Sequence, residues 1–337
     1  MLAKFSHWVV ILLAMGLGVG PSSIAAQADS STQFSGDATA LSATVLGTSV
    51  TVAHAGPLPS SGGAQEASLL KASEPGLLTA EVLHASTVGQ GDRSRSEASV
   101  ADLNLTVAGN TVTADFLMSR AMAVCGSGGA TTSGSSELAG LTINGQRITV
   151  GAAPNQTVDL PDGSKVIINE QSSSPGSMTV NALHVIVPGV ADVVVASAHA
   201  DITCPPPGQV SCTGGDFVTG GGWIEPAGSR DNFAVAGGIK NGSNWGHLEY
   251  HDHAANGPSV HGTGVTLYTP TGLNSRHIEG TAEVNGQPGY TYAVDVTDNG
   301  SPGHNDLFRL QLSNGYTTGQ TASNLGGGNI QLHKPCA

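Results

Sequence analysis

Apolar and polar residues alternate along most of this chain, and glycine-containing turns interrupt the alternation again and again. That pattern limits the fold more than any other feature. Val112, Ala114, Phe116 and Met118 alternate with Thr111, Thr113 and Asp115 after the turn Ala108-Gly109-Asn110. Leu141-Thr142-Ile143 meets Arg147-Ile148-Thr149-Val150 through Asn144-Gly145, a strong hairpin signal because both turn residues accept positive φ. A period of two belongs to strands half-buried against a core. Long helices need Glu, Lys, Arg and Leu, yet only 11% of the 337 residues are charged and 47 are Gly. The expectation is an all-β protein of two β-sandwich-like or partly closed barrel domains.

Individual strands can be placed. Val194, Ala196, Ala198, Ala200, Ile202 and Cys204 are expected on one strand face, with Ser197, His199, Asp201 and Thr203 on the other. Leu69 to Leu83 is ambiguous, with a break at Pro75-Gly76. Further on, Ile278, Gly280, Ala282 and Val284 form a core row, as do Tyr290, Tyr292, Val294 and Val296. Phe308, Leu310, Leu312, Ile330 and Leu332 continue it. The run Cys204-Pro-Pro-Pro-Gly-Gln cannot join a sheet ladder and reads as a stiff connector. The expected organisation is a β domain at 29–204, a Pro-rich linker at 205–211 and a second β domain at 212–337.

Residues 1–28 read as a signal peptide. Lys4 supplies the positive end, Trp8 to Val19 the apolar core, and Ala26-Gln27-Ala28 the cleavage site, with cleavage after Ala26 as an alternative. The apolar run is short for a membrane span. The expectation is a secreted, extracellular product with no membrane anchor after cleavage. A net charge of −13 without any Lys/Arg cluster argues against nucleic acid as a partner. The four cysteines, Cys125, Cys204, Cys212 and Cys336, suit disulfides in an oxidising compartment. The favoured pairing is Cys125–Cys204 with Cys212–Cys336, and Cys204–Cys212 across the linker is the alternative.

The densest chemistry lies in Gly246-His-Leu-Glu-Tyr-His-Asp-His253. On a strand, His247, Glu249, His251 and His253 share one face, with same-face neighbours about 6.5–7 Å apart. Leu248 and Tyr250 then point to a core, and Asp252 ends the strand. If Ala254 to Pro258 turns the chain back, His261 joins the row. Imidazoles with a carboxylate suit Zn or Cu, so this row is either a transition-metal site or a solvated polar face. Asp295, Asp298 and Asp306, around Asp298-Asn-Gly-Ser-Pro-Gly303, are a candidate calcium set, against the alternative of a plain turn. Gly220-Gly221-Gly222 has no Lys-Ser/Thr after it, so close packing explains it better than a phosphate loop. Trp223 and Trp245 serve either sugar stacking or packing. The chain carries no G-x-S-x-G or H-E-x-x-H signature, and Glu279 and Glu283 stand too far apart along a strand for a glycosidase pair.

Several motifs also resemble a known family. Phe34-Ser-Gly-Asp-Ala-Thr-Ala, Gly140-Leu-Thr-Ile-Asn-Gly and Ala200-Asp-Ile-Thr-Cys204 are similar to the choice-of-anchor P proteins. Phe217-Val-Thr-Gly-Gly-Gly-Trp-Ile224, the histidine stretch, Val296-Thr-Asp-Asn-Gly-Ser-Pro-Gly303, Asp306-Leu-Phe-Arg-Leu310 and Gly327-Gly-Asn-Ile-Gln-Leu-His333 resemble the post-COAP domain that often follows. The resemblance implies bacterial export and a β fold, and it implies no reaction. The functional expectation is a non-enzymatic structural or interaction protein of the cell envelope or extracellular space, whose partner is a cell-surface or extracellular polymer. An exported metal-binding domain comes second and an exported hydrolase third.

Overall fold

The computed structural model describes residues 31–206, 209–212, 214–226 and 228–336. The expected signal peptide, residues 1–28, and linker positions 207 and 208 lie outside the described residues. Among the described residues every regular element is a strand except one 3-10 turn at Gly303–Asn305, so the all-β expectation holds. No helix among them is long and apolar enough to cross a membrane.

The strands before the connector are β1 (Gln33–Val45), β2 (Thr48–Ala55), β3 (Gly63–Glu74), β4 (Leu78–Gln90), β5 (Arg93–Val107), β6 (Asn110–Gly126) and β7 (Gly129–Ala139). They continue with β8 (Thr142–Ile143), β9 (Gln146–Arg147), β10 (Gln156–Asp159), β11 (Lys165–Ser174), β12 (Ser177–Val187) and β13 (Ala191–Thr203). Those after it are β14 (Phe217–Ile224), β15 (Asp231–Lys240), β16 (Ser243–Asp252), β17 (Ser259–Pro270) and β18 (Ser275–Val284). The last are β19 (Gln287–Thr297), β20 (Leu307–Leu312), β21 (Ser323–Asn324) and β22 (Gly327–His333).

Three antiparallel sheets result. A six-stranded sheet has the order β10-β11-β12-β13-β1-β2. A seven-stranded sheet runs β3-β4-β5-β6-β8-β9, with β7 also paired to β6. These two form a sandwich whose core is built largely from Ala and Val, among them Ala38, Ala85, Ala98, Val100, Val193 and Val195. Small side chains let the sheets approach closely while still excluding water. The ambiguous stretch resolves as β3, a turn around Pro75-Gly76, and β4. One expectation of alternation fails. Ala196 adopts φ 52° with the ladder in the same register on both sides, and Val193 and Val195 are buried with Ala196, Ala198, Ala200 and Ile202, while Val194 is only half-buried.

The third sheet has nine strands in the order β21-β20-β19-β18-β17-β16-β15-β14-β22. It curls until Phe233 of β15 stacks on Phe308 of β20 at 4.0 Å, although four strands separate them in the sheet. The concave side holds the expected core rows, including Ile278, Val294, Leu310 and Ile330. The convex side lies on the outer face of the seven-stranded sheet, with β16 over β3 and β15 over β4. Val82, Ala101, Phe116, Met118, Trp223 and Ala234 form an apolar plug between them. Trp223 is buried there, 5.0 Å from the Phe116 ring. The glycines do serve close packing: a methyl group at Gly221 would strike Ser99 across the interface, and one at Gly327 would overlap the Trp223 indole.

Cys125 bonds Cys204, and Cys212 bonds Cys336. The favoured pairing is therefore present, and the linker clamp is not. The first bond ties β6 of one sheet to the end of β13 in the other. The second joins the segment before β14 to the segment after its neighbour β22. Their loops span 79 and 124 residues, so each restricts the unfolded chain by about 4–5 kcal/mol. The double variant Cys212→Ser/Cys336→Ser should show a clearly lower denaturation midpoint than wild type in non-reducing urea titration. Unchanged midpoints would contradict this role.

Candidate metal centre between the sheets

β16 carries the histidine stretch, and its faces divide as the periodicity requires. Leu248 and Tyr250 are completely buried in the concave core, where the Tyr250 hydroxyl donates to Asp231 Oδ2 at 2.6 Å. His247, Glu249 and His251 point the opposite way, with His253 just past the strand end. The expectation of a solvated polar face needs correcting. β3 and β4 cover this side, and Glu249 is 0% exposed. The chain turns back after Ala254, held by Gly257 N–H donating to the Ala254 carbonyl at 2.8 Å. β17 then sets His261 directly opposite Glu249 in the ladder.

The single row of the sequence becomes two groups. In the first, His247 Nε2 and His261 Nδ1 each lie 2.7 Å from the same oxygen, Glu249 Oε1. Glu249 Oε2 is buried and has no hydrogen-bond partner among the described residues. Burial works against a charged His247, but Glu249 and then Glu66 outweigh it, so its pKa rises above the ordinary value. Three ligating atoms of this group lie within 4.8 Å of one another. Around a tetrahedral zinc with bonds of about 2.0–2.1 Å, ligand atoms stand roughly 3.3 Å apart. The two hydrogen bonds need only lengthen slightly to admit an ion, and Oε2 is a donor with nothing else to do.

The second group joins His251 and His253 to Glu81 of β4, again within 4.8 Å. His251 Nε2 is 3.4 Å from Glu81 Oε2, and its Nδ1 is 2.6 Å from Ser259 Oγ. His253 Nε2 is 3.0 Å from Asp102 Oδ2 and 2.8 Å from Asn232 Nδ2. The hydrogen bond that His253 donates to Asp102 raises the His253 pKa, whereas burial lowers that of His251. Glu81, Asp102 and Glu66 belong to the seven-stranded sheet and were not singled out by sequence. Glu81 and Asp102 flank bulges marked by the positive φ of Val82 and Asp102 and by register shifts on both sides of Glu81. Bulges re-aim side chains in this way, and no local sequence motif announces them.

The calcium expectation also needs correcting. Asp295, Asp298 and Asp306 do not converge into a ligand group among the described residues. Asp295 binds His277 and Arg309 on the sheet surface. Asp298 Oδ2 accepts the Leu332 N–H, and Asp306 accepts those of Asn299 and Ile330. These carboxylates satisfy the backbone of a turn, and burial pushes Asp306 up to about 6. Trp245 makes an edge contact with Phe217, with Lys240 over its ring at 5.7 Å.

No family model matches the chain, and neither a curated protein nor a solved structure matches it.

His333, at the end of β22, faces the same interface. It stacks on Phe217 at 4.9 Å, and its Nε2 lies 2.9 Å from Thr219 Oγ1. Burial, reinforced by Arg95, holds its pKa well below 6.5. The unfolded chain therefore binds a proton near pH 6.5 that the folded chain refuses, and stability is lost as pH falls below that value. The loss is about 1.4 kcal/mol per pH unit while the ring stays neutral. In denaturation measured from pH 7 to 5, wild type should lose stability relative to His333→Gln by this slope. Parallel profiles would refute the assignment.

Proposed function

We propose that this chain is an exported, non-enzymatic two-domain β protein that binds a transition-metal ion, Zn2+ or Cu2+, between its sheets. It acts as an interaction module of the cell envelope or extracellular space. The observation that carries the metal reading is Glu249: a fully buried carboxylate with two imidazoles on one oxygen and no partner on the other among the described residues. A buried charged oxygen without a hydrogen bond is costly, and a cation removes that cost. His247, Glu249 and His261 supply three ligands, the number that leaves one position open for water or a partner group. His261 is 44% exposed at its side chain, which gives the ion a way in.

Export is supported by the two disulfides, which persist in oxidising compartments. It also agrees with the apolar N-terminal segment and with the resemblance to choice-of-anchor P proteins. The group at Glu81, His251 and His253 is the weaker site, because Asp102, Asn232 and Ser259 already occupy its imidazoles.

Metal-stripped protein titrated with Zn2+ and followed by melting tests the reading. At a hundredfold excess over Kd, binding to the folded state adds about 2.7 kcal/mol, a shift of about 4 °C for a chain of this size. Glu249→Gln and His261→Ala should abolish the shift, and Glu81→Gln should leave most of it. No shift with either Zn2+ or Cu2+, or an equal shift in the Glu249→Gln variant, would disprove the site.

A further inference from the structure

A cavity of about 220 Å3 opens between the same two sheets, away from the His247 and His251 groups, nearer β22 and with His333 in its lining. The ladder explains its walls. Arg95 of β5 sits opposite Met122 of β6, which sits opposite Ser133 of β7. The next same-face row is Glu97, Arg120 and Ser135. Asn329 of β22 closes the cavity from the third sheet, donating to Glu97 Oε2 at 3.1 Å. Ser133 and Ser135 lie at its exposed edge.

The charge inside runs against the chain's net −13. Arg120 has a carboxylate at 3.8 Å in Glu137. Arg95 has no carboxylate within ion-pair distance among the described residues, and its Nε donates to the Met122 sulfur at 3.5 Å. A thioether is a weak acceptor for a guanidinium. Glu97 does not neutralise it: burial pushes this carboxyl up to about 8, against the pull of Arg120, so it is an acid at neutral pH. Its Oε1 is buried without a hydrogen-bond partner among the described residues. The cavity therefore offers a planar fork of donors and a buried carboxylic acid with one oxygen free of hydrogen bonds among the described residues, with two hydroxyls at its mouth. A guanidinium fork fits a carboxylate in two parallel hydrogen bonds. A neutral carboxylic acid beside it can donate a third. Serine hydroxyls suit a ligand that carries hydroxyls of its own.

We propose that this cavity binds a sugar acid of the uronate class, with the carboxylate on Arg95 and Glu97 and the ring hydroxyls toward Ser133 and Ser135. The site is independent of the histidine groups and does not rest on the metal reading.

Isothermal titration of the full exported chain with galacturonate, galactose and sulfate tests it, with trigalacturonate as a fourth arm. Galacturonate should bind, galactose at least tenfold more weakly for lack of a carboxylate, and sulfate at least tenfold more weakly for lack of hydroxyls. Arg95→Met, matched in bulk and next to Met122, should lose at least tenfold without a change in melting temperature. Arg95→Lys, which keeps the charge but not the fork, should also lose affinity, and it substitutes should the first variant fail to fold. Trimer binding tighter than monomer assigns a chain end of an acidic polysaccharide; equal or weaker trimer binding assigns the free acid. No binding of galacturonate, equal binding of galactose or sulfate, or unchanged affinity in both Arg95 variants would overturn the proposal.

Discussion

The outer face of the seven-stranded sheet has to be covered, and the rest of the architecture follows from how that is done. Its inner face is apolar and is satisfied by the six-stranded sheet. On the outer face Phe116 and Met118 share their strand with Arg120 and Met122, so the surface is neither a core nor a solvent face. The nine-stranded sheet resolves this by curling over its own core and offering its convex side as a lid. Trp223, set among glycines whose side chains would collide with it, anchors the contact. Burial of large aromatic surface of this kind dominates such interfaces energetically.

The lid covers polar groups as well as apolar ones, and that gives the interface its chemistry. Beside the apolar plug lie Glu249 with its two imidazoles on one side and Glu97 with the two guanidinia on the other. Both carboxyls are buried, and each keeps one oxygen without a hydrogen bond among the described residues. Two sheets with no further purpose would gain by replacing such groups with apolar ones. Both stand inside cross-strand rows set by the register, Glu97 between Ser86 and Arg120 and Glu249 between Ala234 and His261, which is why the interface is the centre of the functional reading.

Much of this was legible in the sequence, and the limits have physical causes. Strict alternation placed Leu248 and Tyr250 in the core and His247, Glu249 and His251 together on the opposite face, because a period of two leaves a strand no other choice. It also brought His261 back to the row once Ala254 to Pro258 was read as a turn, and the ladder then sets it opposite Glu249. What alternation cannot supply is the identity of the layer that lies on a face. Hence the row read as solvated, and Glu81 and Asp102 of a distant strand pair went unnoticed. Positive φ at Val82, Asp102 and Ala196 broke the alternation where no glycine marked the break. The aspartates at 298 and 306 look like cation ligands in sequence because turns and calcium loops recruit the same residues. Only the backbone N–H groups pointing at their oxygens separate the two.

The account stands most directly on whether an ion sits against Glu249. Crystals of protein grown with Zn2+ and measured on both sides of the zinc absorption edge would answer it. An anomalous peak within bonding distance of His247 Nε2, His261 Nδ1 and a Glu249 oxygen is the predicted result. No peak there, with both imidazoles still on Glu249 Oε1, would contradict it.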